Sequence, residues 1–338
     1  MPGQKELTVL GIESSCDDTA VAVLRGRRIL SNIVSSQDAV HGPYGGIVPE
    51  LASRQHIQNT LPVLDAALEQ ADITLDAIDG IAVTAGPGLV GSLLVGVSLA
   101  KSLAFARNLP FIGINHLEGH LLAVQLEHEV AFPFLGVLVS GGHTSLYLAR
   151  DWGRYQRLGA TRDDAAGEAF DKGAKMLGLG YPGGRIIDEL AKAGRRDAVR
   201  FPRARIKKAR YDFSYSGLKT ALRQFLVSPE RERYTQADIA ASYQEAVVDP
   251  VVDTTVRAIH DLNIGRVAVS GGVSANSRLR QRMIEVGEQN DFQAFFPSLK
   301  LCTDNAAMIA FAGAWRLAAG QRSGLDLNAS AVLPLENA

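Results

Sequence analysis

TVLGIESSCDDTAVAVL, residues 8–24, is an apolar run, a polar tip and a second apolar run. Residues 8–12 and 19–24 read as the two strands of a β-hairpin. Its tip, Glu13, Ser14, Ser15, Cys16, Asp17 and Asp18, is small, hydroxyl-rich and acidic. Such a tip offers backbone N–H groups and hydroxyls to a phosphate, while a carboxylate such as Asp17 holds a cation or a water. A solvated turn explains one occurrence equally well. The pattern returns about 125 residues later, where 134–139 and 145–149 flank Ser140, Gly141, Gly142, His143 and Thr144. Two such hairpins predict a duplicated architecture, each half opening with a phosphate-facing turn. A third glycine turn, SGGVSAN at 270–276, joins a strand at 266–269 to a helix. That junction sets helix N–H groups and Asn276 against a nucleoside or phosphate. With alternating strands and helices between them, the three turns predict a nucleotide cleft between two α/β lobes.

A second constellation lies at Asn115-His116-Leu117-Glu118-Gly119-His120, after an apolar strand at 110–114. On a helix starting near His116, the two histidines share a face one turn apart. Two imidazoles so placed suit a divalent transition metal, although polar or capping histidines account for the same spacing. The order H-x-E-x-H is not the H-E-x-x-H of zinc proteases, and Glu118 is expected off the ligand face. Asp304, at the start of the last long helix, is a plausible third ligand; a helix N-cap explains an aspartate there too.

The 338 residues are 46% apolar and 21% charged with net charge −1, which fits a globular chain with two lobes and no global field for nucleic acid. Two distant cysteines, Cys16 and Cys302, suggest no disulfide, and the first residues carry no signal-peptide pattern, so a cytoplasmic setting is expected. The longest apolar stretch, 89–106, is broken by glycines, serines and Lys101 and reads as a buried helix. The expected lobes are 1–125, with the C-terminal helix free to pack back on it, and 126–338, with a basic insertion around 195–220. Within that insertion, eight of the sixteen residues from Arg195 to Arg210 are Lys or Arg. Solvation is the ordinary explanation, and a phosphate-backbone contact is the functional one. The FSYSGLKT turn at 213–220 either faces a substrate or caps a helix.

The motifs GIESSCDDTA (11–20), GGIVPELASRQH (45–56), TAGPGLVGSLLVG (84–96), HLEGH (116–120), LVSGGHT (138–144), DDAAGEAFDK (163–172), YPGG (181–184), FSYSGLKT (213–220), SGGVSAN (270–276) and CTDNAAMIA (302–310) run almost end to end. In these stretches the chain resembles the universal tRNA threonylcarbamoyladenosine transferase family, TsaD in bacteria and Kae in archaea and eukaryotes. The absence of a fused kinase favours the bacterial branch. The resemblance implies the two-lobed fold of actin, sugar kinases and heat-shock ATPases (ASKHA). It implies transfer of a threonylcarbamoyl group from threonylcarbamoyl-AMP to N6 of adenosine 37, in tRNAs reading codons that begin with A. It further implies a metal, iron or zinc, on His116, His120 and Asp304, and ATP, AMP or the acyl-adenylate at Leu138, Val139, Ser140, Gly141, Gly142, Asp171, Gly184, Asp188 and Asn276. Asp17 maps to an acidic phosphate-side position. Implied partners are tRNA, the fold paralogue TsaB, the small ATPase TsaE and a threonylcarbamoyl-AMP synthase. Asn115 and Asp18 depart from the common pattern, which has His and Glu there. A small-molecule kinase of the same fold and an ATP-dependent scaffold or chaperone are the other readings; the old endopeptidase label repeats the H-E-x-x-H confusion.

Overall fold

The computed structural model describes residues 6–204, 206 and 209–335. The chain divides into two units. One runs to Glu129 and takes in Asp304–Leu335; the other is Val130–Thr303.

The first unit is built on a five-stranded sheet of β1 (Thr8–Glu13), β2 (Asp18–Arg25), β3 (Arg28–Ser36), β4 (Gly80–Gly86) and β5 (Phe111–Asn115). Their order is β3-β2-β1-β4-β5, antiparallel across the hairpins and parallel from β1 outward. Every residue of β1 and β4 is buried, as expected of central strands covered on both faces. Alternation along the strands divides the two faces. Leu10, Ile12, Val21 and Val23 pack with Val63, Leu64 and Val97 of α2 (Pro49–Ala71) and α3 (Val90–Arg107), which follow the four-residue α1 (Asp38–His41). Gly11, on the opposite face, lies against α11 (Ala306–Ala318): a Cβ there would sit 2.8 Å from that of Ala310. The C-terminal helix thus belongs to the first unit.

α3 was expected to be buried, and only one of its faces is. Ser92, Leu93, Gly96, Val97, Ala100 and Ala104 are covered, while Val90, Leu94 and Phe105 are exposed, Phe105 by 77%. An 18-residue helix of this hydropathy is long and apolar enough to cross a membrane by length and composition alone. Here it packs on α2 and β4.

The second unit repeats the plan. β6 (Phe134–Val139), β7 (Thr144–Asp151), β8 (Arg154–Ala160), β9 (Arg266–Ser270) and β10 (Gln293–Phe295) are ordered β10-β9-β6-β7-β8. The opening hairpin is again antiparallel, and β9 and β10 extend the sheet in parallel. The duplication expected from the hairpins therefore extends to strand order and direction. Between and after the strands run α5 (Ala166–Met176), α6 (Gly183–Ala191), α7 (Ser216–Leu226), α8 (Gln236–Leu262), α9 (Ser277–Gln289) and α10 (Leu299–Cys302); α4 (His116–Ala123) belongs to the first unit. α8 is the spine of this core. Ile239, Tyr243, Val247 and Val251 recur along it at helical spacing and pack with Val137, Phe170 and Phe213.

Candidate metal centre and nucleotide-side turns

α4 begins at His116 because the side chain of Asn115 accepts a hydrogen bond from the N–H of Leu117 at 2.9 Å. One turn later His120 stands over His116, their rings edge to face at 4.6 Å. Gly119 lets this helix approach α11: a Cβ there would lie 2.7 Å from Ile309 Cδ1. The cap of α11 is Asn305, whose side chain accepts from Met308 N–H, so Asp304 is not the helix cap. Its Oδ1 instead lies 3.0 Å from Nε2 of His120 and 3.6 Å from Nε2 of His116. The three donors fall within 4.8 Å of one another, and both histidines are buried. Two imidazoles and one carboxylate converging on a common point fit a divalent metal and leave positions open to a substrate.

Glu118, between the two ligands, faces away from them. Its fully buried carboxylate takes two hydrogen bonds of 2.9 Å from the guanidinium of Arg316 on α11. The protease arrangement is therefore absent, and the ion pair clamps the helix of the histidines to the helix that follows Asp304.

Glu13, the last residue of β1, was not singled out as functional in the sequence, where it reads as part of a polar tip. It is fully buried, and its Oε2 lies 2.8 Å from Nδ1 of His116. Thr84 Oγ1 donates to the same oxygen at 2.7 Å, and Ser15 N–H donates to Oε1 at 2.5 Å. Burial opposes a charge on His116, but the carboxylates of Glu13 and Asp304 prevail and raise its pKa to about 9. His56 of α2 was not singled out either. Its Nε2 donates to the Cys16 carbonyl and its Nδ1 accepts from Thr19 Oγ1, which fixes the hairpin tip from behind.

At that tip burial, then Asp304, raises Asp17 to about 6; burial, then Asp304 and Asp17, raises Asp18 to about 8. Cys16 is pushed up well above the usual thiol range, first by burial and then by Asp17, which removes it as a nucleophile near neutral pH. Oδ1 of Asp18 is buried without a hydrogen-bond partner among the described residues. A carboxyl raised on folding stabilises the fold below its ordinary value, and that contribution is lost as pH climbs through about 8. Metal-free Asp18→Asn should therefore match the parent only below about pH 4, and exceed it at pH 9 by on the order of 1–3 kcal/mol. Thermal melts at the two pH values read this directly, and parallel pH profiles would refute it.

In the second unit the turn after β6 is held by Ser140 N–H to the His143 carbonyl at 2.8 Å and by His143 N–H to Ser140 Oγ at 3.1 Å. Cβ atoms added at Gly141 and Gly142 would meet open space, so a ligand can approach this backbone. Leu138 and Val139 are wholly buried in β6, where their main chains pair with the neighbouring strands. Around this turn, contacts close a ring. Gly167 and Glu168 donate to the carbonyls of Ser140 and Gly141, and Asp171 accepts from Gly183 N–H at 2.8 Å. Asp188 accepts from Ser277 N–H and Oγ. Asn276 caps α9 through Leu279 N–H and donates to Gln244. Gly271, at φ +89°, packs on Val139. Gly184 stands in the first turn of α6 with room beside it. The structure thus gathers the expected nucleotide residues of this unit at one end of its sheet. Asp188 and Asn276 tie helices together there.

The basic segment is less free than its composition suggests. Arg195 pairs with Asp238, Arg203 with Asp249 and Arg210 with Asp261, acids about three turns apart on α8. Three arginines thus strap the segment to the helix, leaving Arg196 and Arg200 without an ion pair among the described residues; Arg205, Lys207 and Lys208 lie outside them. The hydroxyls of Ser214 and Ser216 donate to Asp163, which ties the FSYSGLKT turn to the segment before α5.

A family model described as tRNA N6-adenosine threonylcarbamoyltransferase matches residues 28–311. Relatives carrying that name include one from Syntrophotalea carbinolica, 52% identical over 98% of both chains. Another, from Anaeromyxobacter dehalogenans, is 55% identical over 95% of this chain and 97% of its own. Among solved structures, full-length HypF in a phosphate- and nucleotide-bound form aligns with TM-score 0.64 at 14% identity, covering 92% of this chain and 55% of that one. The (R)-2-hydroxyglutaryl-CoA dehydratase component A of Acidaminococcus fermentans aligns with TM-score 0.57 at 15% identity, covering 93% and 99%. At these identities the likeness speaks for the fold, the two-lobed ASKHA type.

Proposed function

Because the chain belongs to the tRNA N6-adenosine threonylcarbamoyltransferase family, we propose that it moves the threonylcarbamoyl group of threonylcarbamoyl-AMP onto N6 of adenosine 37, in tRNAs reading codons that begin with A, and releases AMP. The observation that carries the mechanism is the convergence of His116, His120 and Asp304 on one point. His116, His120 and Asp304 would hold an iron(II) ion, with zinc(II) as the alternative, and the bound ion would supply Lewis-acid chemistry. The donor is an activated mixed anhydride, so the protein needs no covalent nucleophile; it needs positioning and charge stabilisation. The N–H groups of Gly141 and Gly142 hold the phosphate, that of Ser140 being taken by the His143 carbonyl. Asp171, Gly184, Asp188 and Asn276 shape the nucleoside side, the last two by fixing the start of α9. Asp17 is the tip carboxylate on the phosphate side.

Substrate tRNA presents an unstacked base. We place a fold paralogue (TsaB) on the exposed apolar face of α2 and α3, where Ile57, Leu61, Val90, Leu94 and Phe105 lie. TsaE and a separate synthase complete the system, in the cytoplasm. The kinase and scaffold readings are not favoured by the family. The test is AMP release from threonylcarbamoyl-AMP with the full chain and these partners. Release dependent on tRNA with adenosine at position 37, and absent with guanosine there, supports the reading. Release indifferent to that base overturns it.

A further inference from the structure

We propose that Glu13 is a positioning residue for the metal centre, setting the tautomer of His116 and thereby the affinity for the ion. The inference rests on the proposed metal site and concerns a residue outside its three ligands. A carboxylate only accepts, so the 2.8 Å contact with Oε2 of Glu13 requires the proton on Nδ1 of His116. When a metal displaces the other ring proton, the lone pair stands on Nε2, the nitrogen that faces Asp304. Glu13 is itself immobilised. Thr84 Oγ1, on the neighbouring strand β4, donates to Oε2 at 2.7 Å, and Ser15 N–H donates to Oε1 at 2.5 Å. With no exposed surface, the carboxylate faces no competing water.

The arrangement has a second consequence. Glu13 spans two parts of the first unit, the main chain of the acidic tip at Ser15 and the ring of His116. Ser15 Oγ is also 3.2 Å from the same Nδ1. The tip and the ligand helix therefore share one anchor, and anything that displaces the tip alters the orientation of a metal ligand. His120 has no equivalent among the described residues: its Nδ1 is buried with no hydrogen-bond partner among them. The centre thus holds one imidazole oriented through a carboxylate and a second fixed by packing and by Asp304. Outer partners of this kind typically contribute 10–100-fold to metal affinity.

The probe is metal alone. Zn²⁺ or Co²⁺ is titrated into the full chain against a competing chelator, without nucleotide or tRNA, for the parent, Glu13→Gln and Thr84→Val. Glutamine keeps the size but loses the charge, and its NH2 group can face Nδ1 and move the proton to Nε2. Its affinity should fall about 10–100-fold. Thr84→Val leaves the carboxylate in place without its hydroxyl anchor and should show a smaller loss of several-fold. Histidine ¹⁵N spectra of the zinc-loaded parent should place the His116 proton on Nδ1. Affinity of Glu13→Gln within two-fold of the parent overturns the proposal, and so does zinc bound through Nδ1. If Glu13→Gln does not fold, Thr84→Val and the parent spectrum decide. A parent that binds no metal removes the metal reading itself, an outcome distinct from unchanged binding in Glu13→Gln.

Discussion

His116→Ala and Asp304→Ala should each lower threonylcarbamoyl transfer by about 10³-fold or more, with the secondary structure retained. The size follows from the loss of Lewis-acid stabilisation worth several kcal/mol, each 1.4 kcal/mol being about tenfold in rate. Retention of the fold follows from where the residues stand. His116 is at the start of α4, whose cap is Asn115; Asp304 precedes the cap of α11, which is Asn305. Removing either side chain leaves both helices capped and the sheet of the first unit untouched. The two variants should also lose metal together, since each removes one donor from a set confined within 4.8 Å. Steady-state transfer, metal content and circular dichroism on the same preparations check the three parts. Full activity in both variants would take the metal out of the chemistry.

Arg316→Ala is expected to have the largest effect on stability, about 3 kcal/mol or more against the unit that holds the metal ligands. Glu118 has no exposed surface, and both its oxygens accept from this one guanidinium at 2.9 Å. Deleting the arginine withdraws that charge from a buried carboxylate, the costly direction for a buried pair, for which about 3–5 kcal/mol is usual. The pair also joins α4 to α11, so its loss should loosen His116 and His120 against Asp304 and weaken metal binding as well. Arg316→Lys retains the charge without the two-pronged geometry and should fall between. Amide exchange resolves the effect by region: protection should drop in α4 and α11 and hold in α8. A uniform change across both units, or none, would contradict the clamp.

Much of the fold was legible because it repeats. The tip at residues 13–18 and the turn at 140–144 share hydroxyl and glycine chemistry between apolar runs, and the two sheets they open have the same strand order. The histidine pair was legible because helical spacing is a local property. Partners that come from distant strands were not. Glu13 and His116 are 103 positions apart, and Glu118 and Arg316 are 198 apart. Nothing in a polar tip says that one carboxylate turns inward to an imidazole. The same limit applied to the basic segment. Its arginines look free until α8 supplies Asp238, Asp249 and Asp261 beneath them. For Asp304 the sequence left two roles open; the cap at Asn305 removes one, and Asp304 stands beside the histidines. α3 misled by composition alone, since an apolar helix with small residues serves as well on a half-covered face as in a core.

The most direct test is incorporation of labelled threonine into tRNA, with the full chain, its proposed partners, the synthase, ATP and bicarbonate, compared with the same mixture carrying His116→Ala. The account predicts label at adenosine 37 with the parent chain and none above background with the variant. Equal label from both, or none from a parent chain that binds metal and nucleotide, would contradict it.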